Sequence, residues 1–277
     1  MTALYAEETV APTESDLMDS FNPENPPGAI IPAAQPERRV WRFWGTTLWG
    51  LFAFAALFVG QIAVVGYVVL QKGDGITIEE AIRAAASSGT TISLSVIMGL
   101  PAVAAALWLA IRFTTTPFAD YLALRWMPWK NLLIGVLGLV ALLAGWEILS
   151  RLIGHETSPG FMVDVLKSAR GDGALWLLIF AFCVAAPISE EFFARGFLYR
   201  GWSETVLGPI GAIILSSLVW TSLHLQYDWY FFGEVFTLGL WFGYLRYRSG
   251  STWLTIVLHG LNNLGAVLQT IWLAGQG

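Results

Sequence analysis

Long apolar runs alternate with short polar connectors along this chain, and the runs have the length of membrane spans. A helix crossing the hydrocarbon core needs about 20 mostly apolar residues. That pattern predicts spans at 43–70, 91–111, 131–149, 174 to about 202, 208–224, 230–245 and 251–273. Pro101 interrupts the second span, which a membrane helix tolerates where neighbours satisfy the freed carbonyl. ITIEEAIRAAASS (76–88) predicts a short surface helix, and 161–170 a short amphipathic one. Gly208-Pro209 is a good helix start, and Gly239 with Gly243 makes a GxxxG packing face in the sixth span. The expected fold is all-α: a polytopic helical membrane protein of about seven transmembrane helices, with its polar site among the last four. Residues 1–40 carry half of the twelve prolines, scattered acids and no helical period, and read as a disordered tail. Residues 41–173 read as N-terminal transmembrane helices and connectors.

Composition agrees with this class. The chain is 56% hydrophobic, holds 14 Trp and has a mean hydropathy of +0.61. The net charge of −5 says little about partners, because seven acids lie in the first 37 residues. No basic stripe exists, so membrane lipid is an expected partner and nucleic acid is not. Cys183, the single cysteine, falls inside a span, which excludes an intrachain disulfide and a cysteine-rich zinc cluster. A basic segment followed by an apolar stretch is missing at the N-terminus, so no cleavable signal peptide is expected. With seven spans, Arg38, Arg39, Arg42, Arg112, Arg125, Lys130, Arg195, Arg200, Arg246 and Arg248 all fall on one side. The positive-inside rule then puts the N-terminus in the cytoplasm and the C-terminus outside, in the cell (inner) membrane.

The chemistry concentrates in APISEEFFARGF, residues 186–197. Ionisable groups in a membrane helix are costly unless paired or hydrated, which makes them a functional-site hypothesis. Glu191 and Arg195 are i,i+4 in the favourable order and can pair. Glu190 is rotated by roughly 100° and is less easily neutralised by Arg195. Pro187 cannot donate to the Cys183 carbonyl, which predicts a local kink. The bland alternative is a helix end whose charged groups snorkel to the headgroups.

Two further polar sets interrupt apolar helices. His224 lies one turn beyond Trp220 in the fifth span, and His259 and Asn263 share a face of the seventh. Singly, each fits interhelical hydrogen bonding. Two Glu, two His and an Asn on three helices also have the ingredients for hydrolysis. A partly desolvated carboxylate can take a proton from water, helped by a histidine. A second histidine with an amide can donate to the oxyanion of a scissile carbonyl. Glu190, His224 and His259 could instead hold Zn2+, with water in the open position. HExxH is absent. His155, in a loop, reads as incidental, and Glu234 as an interfacial group.

Glu190-Glu191-Phe-Phe-Ala-Arg195, Trp220-Thr-Ser-Leu-His224 and His259-Gly-Leu-Asn-Asn263 resemble the three motifs EExxxR, FxxxH and HxxxN/D. These motifs mark the CAAX protease and bacteriocin-processing (CPBP, or Abi) family of intramembrane peptidases. The resemblance makes 174–273 a CPBP-like catalytic core and departs from the pattern at Trp220, where the family usually has Phe. It implies that Glu190 activates the attacking water, assisted by His224, that His259 and Asn263 stabilise the oxyanion, and that Glu191 and Arg195 hold the site's shape. It also implies an endopeptidase acting on membrane-associated or lipidated polypeptides. The family is described both as metalloproteases and as metal-free glutamate peptidases, so Zn2+ stays open, and the shortage of unambiguous ligands favours no obligatory metal. The competing readings are a non-catalytic bacteriocin-immunity or scaffold protein and a proton-coupled transporter; no inverted repeat supports the latter. One conflict stands. If the fourth span enters at Ala174 and the fifth at Gly208, Glu190 and His224 each lie roughly 24 Å from opposite faces of a core about 30 Å thick.

Overall fold

The computed structural model describes residues 40–71, 73–156 and 158–274. The tail expected over residues 1–40 thus lies outside the described residues except for Val40, as do Arg38, Arg39 and Lys72. Among the described residues there is no strand, and ten helices follow one another. They are α1 (Phe43–Leu70), α2 (Ile78–Ser87), α3 (Gly89–Arg112), α4 (Phe118–Tyr121), α5 (Trp129–Ile153) and α6 (Gly160–Gly171). Then come α7 (Leu175–Ser203), α8 (Gly208–Thr221), which continues as a 3-10 turn over Ser222–His224, α9 (Trp229–Ser249) and α10 (Thr252–Ala274).

Helices α1, α3, α5, α7 and α10 are long and apolar enough to cross a membrane, so the chain is an integral membrane protein of the all-α class. The two other expected spans form as helices at their expected places but do not meet that measure. With its terminal turn α8 covers 17 residues, and α9 carries Glu234, Arg246 and Arg248 among its 21. The exposed large side chains Leu51, Val59, Leu137, Val140, Ile210 and Leu218 form an apolar exterior suited to lipid.

Hydrogen bonds between connectors define two faces. On the first, the Thr252 amide and hydroxyl donate to the Ala123 and Leu122 carbonyls, and the Trp41 amide donates to the Tyr121 hydroxyl. Arg112, Arg125, Lys130, Arg200 and Arg248 belong to the helix ends and connectors of this basic face. On the opposite face, the Gly89 amide donates to Ser168 Oγ and Thr90 Oγ1 to Asp172 Oδ2. Here α2 begins with a reciprocal cap: Glu80 N–H donates to Thr77 Oγ1, and Thr77 N–H to Glu80 Oε2. Those bonds from Thr77, backbone first, hold the Glu80 carboxyl below its usual range.

Small residues set the closest approaches. A Cβ on Gly60 of α1 would meet the Met98 carbonyl of α3 at 2.8 Å. In α9, the Gly239–Gly243 pair meets α8: a Cβ at these positions would fall 2.9 Å from Ser217 and 2.8 Å from Ile213. Two buried cores result. One joins α1 and α3 to the second half of α7 through Leu57, Leu107, Phe193 and Phe197; the other joins α5, α8, α9 and α10 through Leu139, Trp220, Phe242 and Leu258.

The depth conflict resolves through the length of α7. This helix runs 29 residues, to Ser203, and is therefore roughly 43 Å long, more than the hydrocarbon core. Depth is set from the turn that joins it to α8. Glu190 lies thirteen residues before Ser203 and Trp220 twelve residues after Gly208, so antiparallel helices bring the two to one level.

Candidate active site

Helix α7 is irregular around the carboxylates. Ala186–Glu191 is α-helical, but Ala181–Ala185 before it and Phe192–Leu198 after it are wound as π-helix. Pro187 supplies the reason for the first: it has no N–H to return to the Cys183 carbonyl. Helix α10 covers the loosened turn. Asn263 Nδ2 donates to the Phe182 carbonyl at 2.8 Å, and Gly260 packs so closely that a Cβ there would lie 2.7 Å from the Cys183 carbonyl. Gly260→Ala is therefore expected to push α10 off α7 and destabilise the protein by about 1–3 kcal/mol. A thermal unfolding midpoint in detergent equal to that of the parent protein would contradict this contact.

The two adjacent glutamates have different environments. Glu191 and Arg195 are both fully buried, and Arg195 Nη1 donates to Glu191 Oε1 at 2.9 Å. The guanidinium also donates through Nη2 to the Gly239 carbonyl at 3.1 Å and lies 4.4 Å over the Trp220 ring. His259 Nδ1 lies 3.0 Å from the same Glu191 Oε1. An ionised carboxylate only accepts, so this contact assigns the proton to Nδ1 and turns Nε2 toward Glu190.

Glu190 sits on the other side of α7. The Trp220 indole N–H donates to its Oε2 at 2.6 Å, and His259 Nε2 stands 4.0 Å from that oxygen. One water can lie within hydrogen-bonding distance of two atoms so spaced, each bond being about 3 Å. His224 Nδ1 faces the Trp220 carbonyl at 3.2 Å, which leaves its Nε2 free to face away from that carbonyl. Among the described residues no contact within 4 Å joins His224 to Glu190. The two meet instead across a cavity of about 440 Å³, which Glu190, Trp220, His224, His259 and Asn263 all line. From mid-membrane the cavity extends to the face opposite the basic one, reaching Ser158, Pro159 and the exposed Gln226.

Three of these contacts had no clear sequence signal: the Trp220 indole on Glu190, the His259 ring on Glu191, and Glu234 among the cavity-lining residues rather than at an interface. His155 is away from this cluster. It stacks on Tyr230 and approaches Asp228 at 3.3 Å, tying the α5–α6 connector to the start of α9. The zinc alternative finds no ready cage: among the described residues no three His, Cys, Asp or Glu side chains gather as a metal site. Glu190 Oε2 is already held by an indole, whereas the Glu191 contact on His259 Nδ1 leaves Nε2 open, as in a metal-ligating histidine.

Residues 172–265 match the family model described as "Rce1-like: Type II CAAX prenyl endopeptidase Rce1-like". Comparison with curated proteins and with solved structures gives no match. The matched segment, about a third of the chain, contains all three motifs and the contacts among them. Such a match supports CAAX-type intramembrane protease activity in general terms. The buried Glu191–Arg195–His259 cluster, the Glu190 carboxylate beside it and the cavity-lining His224 and Asn263 thus all lie within the segment that resembles the type II CAAX prenyl endopeptidase Rce1-like family.

Proposed function

We propose that this protein is an intramembrane endopeptidase that hydrolyses peptide bonds of membrane-associated, including lipidated, polypeptides. The observation that carries this reading is the shared cavity, in which a carboxylate that pairs with no lysine or arginine among the described residues faces two imidazoles and an amide. Glu190 takes a proton from a water held between its Oε2 and the cavity, and the water oxygen attacks the scissile carbonyl. His224, through Nε2, orients that water. The oxyanion forms toward His259 Nε2 and the second amide hydrogen of Asn263. Because Nδ1 already donates to Glu191, donation from Nε2 requires that both ring nitrogens carry a proton at that step. As the tetrahedral intermediate collapses, the C–N bond breaks and the proton held by Glu190 passes to the leaving amine.

The positive-inside rule puts the basic face in the cytoplasm, and the cavity extends toward the other face. The substrate segment therefore enters from the extracytoplasmic side of the cell membrane. Single cysteines at positions 125, 160 and 248, probed in intact cells with an impermeant reagent, test this orientation. Position 160 is expected to react from outside, and 125 and 248 only after lysis. Labelling of 125 and 248 in intact cells would reverse the orientation and send the substrate to the cytoplasmic side.

A further inference from the structure

Glu234 lies on α9 with Phe231, Val235 and Leu238, in the i, i+3, i+4, i+7 stripe that faces the cavity. Among the described residues it is the one carboxylate besides Glu190 that lines the cavity, and no lysine or arginine lines it. Among the described residues its carboxylate makes no ion pair or side-chain hydrogen bond. Its charged neighbour is another carboxylate, Glu147 of α5, which is itself paired with Arg151 at 2.7 Å. Tyr227, also lining the cavity, senses both cavity carboxylates: burial first, then Glu190 and Glu234, pushes its phenol up to about 12. A half-buried carboxylate facing a cavity that no described lysine or arginine lines is incompletely compensated until something positive comes beside it.

We infer that Glu234 binds the side chain of a lysine or arginine in the polypeptide substrate, beside the scissile bond. This rests on the peptidase reading above. Position on α9 sets the spacing. Gly239, whose carbonyl holds Arg195, marks the level of the site, and Glu234 is five residues away toward the open end. That is roughly 7.5 Å along a helix, or two to three residues of an extended peptide at roughly 3.3 Å each. The approach is acidic as well. The connectors on the cavity's open face (71–88, 154–174 and 225–228) hold seven acidic residues against four basic ones, which draws basic segments toward the mouth.

The test uses quenched fluorescent peptides of one sequence. Lysine, norleucine or glutamate is placed in turn at each of the three positions on either side of the cut, with the purified full chain in detergent. At one position two or three residues from the cut, lysine is expected to raise kcat/KM over norleucine on the order of tenfold, mainly through KM. Glu234→Gln is expected to bring that ratio to about one, and Glu234→Arg to turn the preference toward glutamate. Glu147→Gln, which does not line the cavity, is expected to keep the parent ratio. A ratio near one in the parent protein, or an unchanged ratio in Glu234→Gln, overturns the inference. Binding of the lysine and norleucine peptides to Glu190→Gln protein, read by fluorescence anisotropy, separates the two readings. If no peptide is cut but lysine still binds tighter in a Glu234-dependent way, the peptidase reading fails and the cation subsite stands. Equal binding of the two peptides overturns the subsite.

Discussion

Glu190→Gln is expected to lower peptide cleavage by roughly 10²–10⁴-fold, the range lost with a general base, while the protein remains folded. The substitution separates two functions of one side chain. The amide oxygen still accepts the indole N–H of Trp220, now 2.6 Å from Oε2, so the α7–α8 contact survives. It cannot take a proton from water. Cleavage of a lipidated peptide by purified protein, alongside the thermal unfolding midpoint, reads both. Full activity in Glu190→Gln would refute the assigned base and move the role to His224, whose Nε2 is free. Absence of cleavage by the parent protein on every peptide offered would favour a silent scaffold. The same assay examines metal dependence. The proposed mechanism expects chelators to leave the rate unchanged, whereas a zinc enzyme built on Glu190, His224 and His259 loses activity on chelation and regains it with zinc.

How much of this was legible in the sequence follows from the range of each interaction. The i,i+4 pairing of Glu191 with Arg195 is a property of one helix, and it is where the spacing put it. The helices are where apolar runs put them, and so is the irregular turn near Pro187, because these too are local. Which oxygen His259 approaches depends on how α10 is rotated against α7. That rotation is set by Gly260 under the Cys183 carbonyl and Asn263 on the Phe182 carbonyl. A motif written along one helix cannot express such cross-helix contacts. Trp220 is the clearest case. As an aromatic it satisfies the motif position, yet the atom that matters is Nε1, which phenylalanine lacks, and its use depends on the length of α7 beyond the motif. Glu234 was read from its place near a span end, where exposure is the ordinary outcome. Only the packing that puts this stretch of α9 along the cavity shows otherwise.

Arg195→Ala is expected to destabilise the protein by about 3–5 kcal/mol, the usual cost of leaving one member of a buried pair without its partner. Arg195 also fills space over Trp220 and holds the Gly239 carbonyl, so its loss loosens α7, α8 and α9 together. Glu191→Gln is expected to be destabilising for the opposite reason, because it strands a fully buried guanidinium. It also removes the charge that holds His259 by Nδ1, so its activity loss should exceed what its stability loss predicts. The double variant Glu191→Gln/Arg195→Met is the decisive comparison. If the two residues act as a pair, its unfolding midpoint lies above that of either single variant, since no unpaired charge is left buried. Its activity stays low, because His259 still lacks its anionic partner. Additive losses of stability in the double variant would mean that Glu191 and Arg195 stabilise the bundle separately, and the pair would then explain neither the position of His259 nor the integrity of the site.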